Sequence, residues 1–112
     1  YTLSLHDALP ISFPSSANNK IVKVKIAGVT VYTATRTTST REGPLVVLAN
    51  RNALNSQIMP YDSVYLTAGS GTPATFAIDF SVNVTVEITG QRANGSEALK
   101  LEYFRALHFA GA

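Results

Sequence analysis

Hydrophobic and polar residues alternate most regularly between Ala74 and Thr89. Seven apolar side chains occupy every second position of this stretch, with small or polar residues between them. A period of two is typical of a β-strand with one buried and one solvated face, because successive side chains of a strand point to opposite sides. The pattern therefore predicts one long strand over Ala74–Thr89, central to a sheet that a second layer must cover.

Shorter stretches rich in alternating or β-branched residues predict further strands. These stretches are Lys20–Ile26, Val29–Thr38, Leu45–Leu48 and Val64–Ala68. Between the first two, Ala27-Gly28 predicts either a tight hairpin turn or a bulge within one longer strand. Polar or glycine-rich segments predict turns over Ser39–Pro44 and Gly69–Pro73 and a loop over Ala49–Gln57.

The C-terminal segment 97–109 supports two interpretations. Its apolar residues alternate from Leu99 to Phe109 with one break at Arg105, which favours a strand. Its glutamate, alanine, leucine and lysine residues are good helix formers, so a helix stays open as the alternative. The preceding Asn94-Gly95 predicts a hairpin. The whole pattern predicts an all-β fold, an antiparallel β-sandwich or flattened barrel of about seven strands.

The chain opens with YTLSLHDALPIS and has no initiator methionine. Residues 1–11 resemble the in-frame translation of the universal adapter used in short-read sequencing, with Ser12 as the join. The resemblance implies that residues 1–12 are a library artefact to be excluded from fold reasoning, as a tag would be. Residues 13–19 then form a flexible lead-in, and residues 20–112 form a single β domain.

Composition narrows the class of protein further. Apolar residues make up 46% of the chain and charged residues only 14%, which suits a small β-sandwich. No apolar run is long enough to span a membrane. Cysteine is absent, so the chain has neither disulfides nor a thiolate metal site. A net charge of +2 does not by itself indicate a nucleic-acid binder.

The clearest candidate binding surface is basic. Lys23 and Lys25 share one face of the strand Lys20–Ile26, and Tyr32 and Arg36 join that face if the next strand pairs with it. Lysine and arginine on phosphates, with an aromatic ring on a base, form a nucleic-acid surface in several small β proteins. The alternative is that these lysines protect an edge strand from aggregation.

No catalytic or metal-binding motif is present. His108 and Glu102 fall on one face if they share a strand, but this pair makes no triad, and no nucleophile elbow accompanies it. The acidic residues lack metal-ligand spacing, so we predict no cofactor and no enzyme activity. Asn94 lies in an N-x-S sequence on a predicted turn and is a candidate glycosylation site.

These observations predict a non-enzymatic, self-assembling structural module, such as a virus or phage particle protein or a surface filament subunit. Its partners would be further copies joined through strand edges, and a virion or extracellular location is favoured. The alternative is a binding module for a glycan or single-stranded nucleic acid, of which an RNA-phage coat protein is an example. No membrane association is expected.

Overall fold

The chain folds into short antiparallel strands. The computed structural model describes residues 2–5, 9–59 and 73–109, and the side chains of residues 11–59 and 73–108. The strands are β1 (Thr2–Leu5), β2 (Leu9–Ser12), β3 (Lys20–Ile26), β4 (Val29–Arg36), β5 (Arg41–Glu42), β6 (Val46–Asn50), β7 (Gln57–Ile58), β8 (Thr75–Phe76), β9 (Val86–Arg92), β10 (Lys100–Tyr103) and β11 (Leu107–Phe109). These described residues contain no helix, and therefore none that could cross a membrane. The predicted all-β class is confirmed.

The strands form three sheets. The five-stranded sheet has the order β11-β1-β6-β7-β8, the β2 sheet has the order β10-β2-β5, and the β3 sheet has the order β4-β3-β9. Every pairing is antiparallel. Over the described residues no sheet closes on itself, so the sandwich-like alternative is the one observed, not the flattened barrel.

Two hydrophobic clusters hold the layers together. The larger cluster joins Val24 and Ile26 of β3 to Val46 and Leu48 of β6, so the β3 sheet packs on the five-stranded sheet. The smaller cluster consists of Ile11, Phe13 and Val22, with Ile88 and Leu99 packed against it. One face of β3 therefore packs against both the five-stranded sheet and the β2 sheet. This explains why every second side chain of β3 is buried.

The N-terminal residues take part in these sheets. β1 pairs with both β6 and β11, and β2 pairs with both β5 and β10. The adapter resemblance led us to leave residues 1–12 out of the fold, whereas the structure places residues 2–5 and 9–12 between other strands. The adapter origin of residues 1–11 stays a prediction. Residues 13–19 form no strand, but Phe13 is buried and Ser16 and Asn18 contact Lys20.

The β3–β4 hairpin follows the sequence prediction at its turn. Ala27 and Gly28 both have positive φ, 51° and 78°, as a two-residue turn with the twist of the flanking strands requires. The first pairs, Ile26 with Val29 and Lys25 with Thr30, follow directly from this turn. The register then shifts by one residue, because Val31 forms a β-bulge between Thr30 and Tyr32.

The long strand predicted over Ala74–Thr89 is wrong. The structure has β8 and β9 at its two ends, with residues 77–85 outside any strand. Two side chains explain the break. The Gln57 amide bonds both the N–H and the C=O of Ile78, at 2.8 and 2.9 Å, in place of a neighbouring strand. The Asp79 carboxylate then accepts bonds from the backbone N–H and the hydroxyl of Ser81, which turns the chain.

The alternation still predicts burial in this segment. Ile78 belongs to the larger cluster, and Phe76, Phe80, Val84, Val86 and Ile88 pack against that cluster. Val82 is the exception, because 61% of it is exposed at the turn. Hydrophobic periodicity thus identified the side chains that face the core, although the backbone between them is not a strand.

The C-terminal segment is extended, as the alternation indicated, and forms β10 and β11. The predicted Asn94-Gly95 hairpin is wrong, because β9 and β10 belong to different sheets. Asn94 starts a turn in which its carbonyl accepts from Glu97 N–H at 3.2 Å. Leu99 then crosses Gly90 of β9 so closely that a Cβ there would lie 2.9 Å from the leucine Cδ2.

The remaining predictions have mixed outcomes. The strand over Leu45–Leu48 is confirmed as β6, displaced by one or two residues at its ends. The turn over Ser39–Pro44 also contains the short β5, and the loop over Ala49–Gln57 ends where β7 begins. The predicted strand Val64–Ala68 and most of the turn Gly69–Pro73 lie outside the described residues.

Candidate functional site

The outer face of the β3 sheet carries the two predicted lysines. Lys23 and Lys25 are half-buried, since their alkyl stems lie along the sheet. The cross-strand neighbours of Lys23 are Thr33 and Thr89, and those of Lys25 are Thr30 and Glu87. The face is therefore polar and rich in threonine, and Glu87 offsets the charge of Lys25.

Tyr32 and Arg36 do not join this face, and the expectation that all four residues share it is wrong. A hairpin without a bulge would place Tyr32 opposite Lys23. The bulge at Val31 instead places Tyr32 opposite Val24 and Arg36 opposite Lys20. Directly opposite residues point to the same side of a sheet, so Tyr32 and Arg36 lie on the face that covers the core.

Both side chains bind the same carboxylate. The Tyr32 hydroxyl donates a short hydrogen bond to Glu42 of β5. Arg36 donates from Nε to Glu42 Oε2 at 2.6 Å and from its terminal nitrogen to Oε1 at 3.2 Å, a two-pronged ion pair. The buried Glu42 thereby ties β4 to the β2 sheet, and these groups stabilise the fold.

A second buried charge lies at the other end of β3. Lys20 is fully buried, and its Nζ donates to Ser16 Oγ at 2.7 Å, Asn18 O at 3.1 Å and Thr37 O at 2.6 Å. The three bonds satisfy the ammonium group, which explains how a lysine occupies a core position. The Glu97 carboxylate lies 3.9 Å away.

Glu97 contacts the polar groups around Lys20, which we call the Lys20 cluster (Ser16, Asn18, Lys20 and Glu97). Its Oε1 accepts from Asn18 Nδ2 at 3.0 Å. Hydrogen bonds from the Ser16 and Asn18 side chains, with the charge of Lys20, hold the Glu97 pKa below its ordinary value. The period of two did place Lys20 on the same face as Val22 and Val24, which was a signal for its burial. We did not use this signal, because lysine is ordinarily exposed and the groups that satisfy Lys20 lie elsewhere in the chain.

A shallow groove of about 390 Å³ lies beside His108. The turn between Phe80 and Val86 forms its other wall, with Ser81 and Asn83 as the polar side chains. Among the described residues, the lining contains His108 but no carboxylate or lysine. The Glu102 considered as a partner for His108 lies in a different sheet, bonded to Lys100 and Ser12.

No group of three histidine or acidic side chains that could hold a metal ion converges within the described ranges. Asn94 is exposed on its turn, where its side-chain oxygen accepts from the N–H and hydroxyl of Ser96. Its assignment as a glycosylation site stays a prediction.

Strand β10 exposes large apolar side chains. All four of its residues are exposed, and 43% of Leu101, 51% of Tyr103 and 52% of the adjoining Phe104 face solvent. β10 lies at the edge of its sheet, and no strand of the described residues pairs with it on the side away from β2. Sequence analysis did not single out this edge, since its alternation predicted a strand without saying which face would stay uncovered.

The three sheets define a small, mostly-β domain. No family model, curated protein or solved structure matches the chain.

Proposed function

We propose that this chain is a non-enzymatic structural module that self-associates through strand edges, as the subunits of a particle or a surface filament do. The observation that supports this function is β10, an edge strand that leaves Leu101 and Tyr103 in water beside Phe104. Unpaired strand edges are templates for another strand, and contiguous exposed apolar side chains favour burial in an interface.

The charges of β10 are compatible with this role. Lysine on an edge strand ordinarily opposes pairing with another chain. Here Lys100 lies 3.0 Å from Glu102, two residues along the same face, so the edge carries no net charge. Edge strand β4 is different, because its bulge at Val31 disrupts the row of backbone groups that a second strand would need.

The mass of the assembly in solution tests this function. Size-exclusion chromatography with light scattering on the full chain, over a range of concentrations, should give particles well above the 12.0 kDa of one chain. Their mass should increase with concentration, as reversible association requires. A 12.0 kDa species at every concentration up to the solubility limit would overturn the proposal.

A second candidate function is binding of single-stranded nucleic acid or a glycan on the outer face of the β3 sheet. It is supported by the row in which Lys23 lies between the hydroxyl-bearing Thr33 and Thr89. Fluorescence anisotropy with an RNA oligonucleotide should show an affinity that falls as salt rises and weakens in Lys23→Glu. Retention on a polysaccharide column at high salt would indicate a glycan, and Arg51→Glu is the matched charge control.

A further inference from the structure

We propose that two copies of this chain join by antiparallel pairing of β10 with β10 of the second copy, about a two-fold axis at Leu101. This inference rests on the proposed function and names one of the contacts that would perform it. A two-fold contact alone closes a dimer, so a particle or filament needs a second contact as well. Such a pairing adds backbone hydrogen bonds along the open edge and merges the two β2 sheets into one continuous sheet.

When two copies of β10 run antiparallel, opposite charges and apolar side chains of the two copies match each other. With the axis at Leu101, Lys100 lies opposite Glu102 of the second copy, and Glu102 lies opposite Lys100 of the second copy. Leu101 lies opposite its own counterpart, and Leu99 lies opposite Tyr103. Opposite charges and apolar pairs at directly opposed positions both stabilise antiparallel strands.

Other registers lack this match. A shift of the two-fold axis to Lys100 places two lysines opposite each other, and a shift to Glu102 places two glutamates opposite each other. An axis between two residues sets a charged side chain against an apolar one, and parallel pairing in register again opposes like charges. Because like charges directly opposite are destabilising, the sequence of β10 favours a single register.

In the single chain, β10 already has one apolar face and one charged face. Leu101 and Tyr103 lie on the side of β10 that continues over Ile11, which is buried in the smaller cluster. Lys100 and Glu102 lie on the other side, where Ser12 Oγ donates to Glu102 at 2.9 Å. A hydrogen bond from Lys100, then one from Ser12, lowers the pKa of Glu102, so this carboxylate is charged at neutral pH. A two-fold contact therefore brings apolar side chains together on one face and pairs opposite charges on the other.

Charge reversal tests the register. We expect sedimentation velocity on the full chain at low salt to show a dissociation constant raised roughly tenfold or more in Lys100→Glu and in Glu102→Lys. The reason is that each variant places like charges opposite each other at two positions. The double reversal should restore association, and an equimolar mixture of the two single variants should associate as wild type does. Arg51→Glu and Glu87→Lys repeat the charge changes away from β10.

A disulfide provides a readout that does not depend on charge. The chain contains no cysteine, so Leu101→Cys introduces a single thiol. At the two-fold axis the two Cα atoms lie about 4.5–5.5 Å apart, within reach of a disulfide. Leu101→Cys should therefore form a covalent dimer on mild oxidation. Tyr103→Cys, with a similar exposed fraction, should not, because its two copies lie about 13 Å apart in this register.

The outcomes separate this contact from the function. Association that is insensitive to both single reversals, or cross-linking that is equal for the two cysteine variants, overturns the β10 contact and leaves self-assembly standing. A wild-type chain that stops at a dimer with the predicted responses supports the contact and overturns the particle or filament. A wild-type monomer at every concentration overturns both.

Discussion

Replacing Gln57 by methionine should remove the contacts that hold the chain where the predicted long strand breaks. Gln57 is buried, and its amide bonds both backbone groups of Ile78, as well as Leu54 O at 3.1 Å and Asn50 Oδ1 at 3.0 Å. Methionine has nearly the same length and keeps the packing, but it offers none of these bonds. The substitution therefore isolates the hydrogen-bonding role of the side chain.

The expected loss comes mainly from Ile78, which is 2% exposed. A buried donor or acceptor left without a partner costs about 1–3 kcal/mol, so the two backbone groups of Ile78 together cost about 2–6 kcal/mol. Leu54 lies in an exposed turn where water replaces the lost bond. A loss of this size is a large fraction of the about 5–15 kcal/mol that ordinarily stabilises a domain.

Urea denaturation of the full chain measures this loss as a lower midpoint with an unchanged slope. The matched control is Gln91→Met, the same chemical change at an exposed position of β9, which should be nearly neutral. Hydrogen exchange should also show a loss of protection at the Ile78 amide. A free energy of unfolding for Gln57→Met within about 1 kcal/mol of the wild-type value, with Ile78 still protected, would refute the reasoning.

Three further predictions follow from local geometry. Ala27 has a positive φ that asparagine tolerates better, so Ala27→Asn should raise stability by about 0.5–1 kcal/mol in thermal denaturation, and a decrease would contradict this. The folded-state pKa of Glu97 lies below 4.5. Its contribution to the free energy of unfolding is therefore complete above pH 4.5 and is lost as the pH falls through the lower folded-state pKa. Glu97→Gln should therefore flatten the acid limb of the stability profile, and an unchanged limb would exclude Glu97 as its source. Tyr32→Phe loses the bond to Glu42 and should unfold about 1 kcal/mol more easily in guanidinium, whereas wild-type stability would show that the bond contributes nothing.

The hairpin β3–β4 shows how much local sequence predicts. Alternation and β-branched residues were sufficient to place both strands. Ala27-Gly28 left a hairpin turn and a bulge as alternatives, and the structure has the hairpin turn. The bulge at Val31 was not predictable, because it depends on Val31 and Tyr32 both packing against the larger cluster. That single extra residue moved Tyr32 and Arg36 from the predicted basic face to the core face.

The candidate site was also predictable only in part from the sequence. The sequence pointed to Lys23 and Lys25, and the structure leaves them on a solvated face. It did not point to β10. The outer edge of β10 is unpaired among the described residues because β2 lies between β10 and β5 in the sheet, which makes β10 an edge strand. An exposed edge is a property of the whole arrangement, so no local pattern contains it.

By itself, the sequence determined the all-β class and most of the core-facing side chains of the segment 74–89, and its alternation favoured a strand over a helix for the C-terminal segment. These properties depend on the period of two and on turn residues, which act between near neighbours in the chain. Only the tertiary structure decided where the segment 74–89 leaves its sheet, which face Tyr32 occupies and which edge stays open. The physical reason is that these outcomes depend on contacts distant in sequence, such as Gln57 with Ile78 and Arg36 with Glu42, that compete with local periodicity.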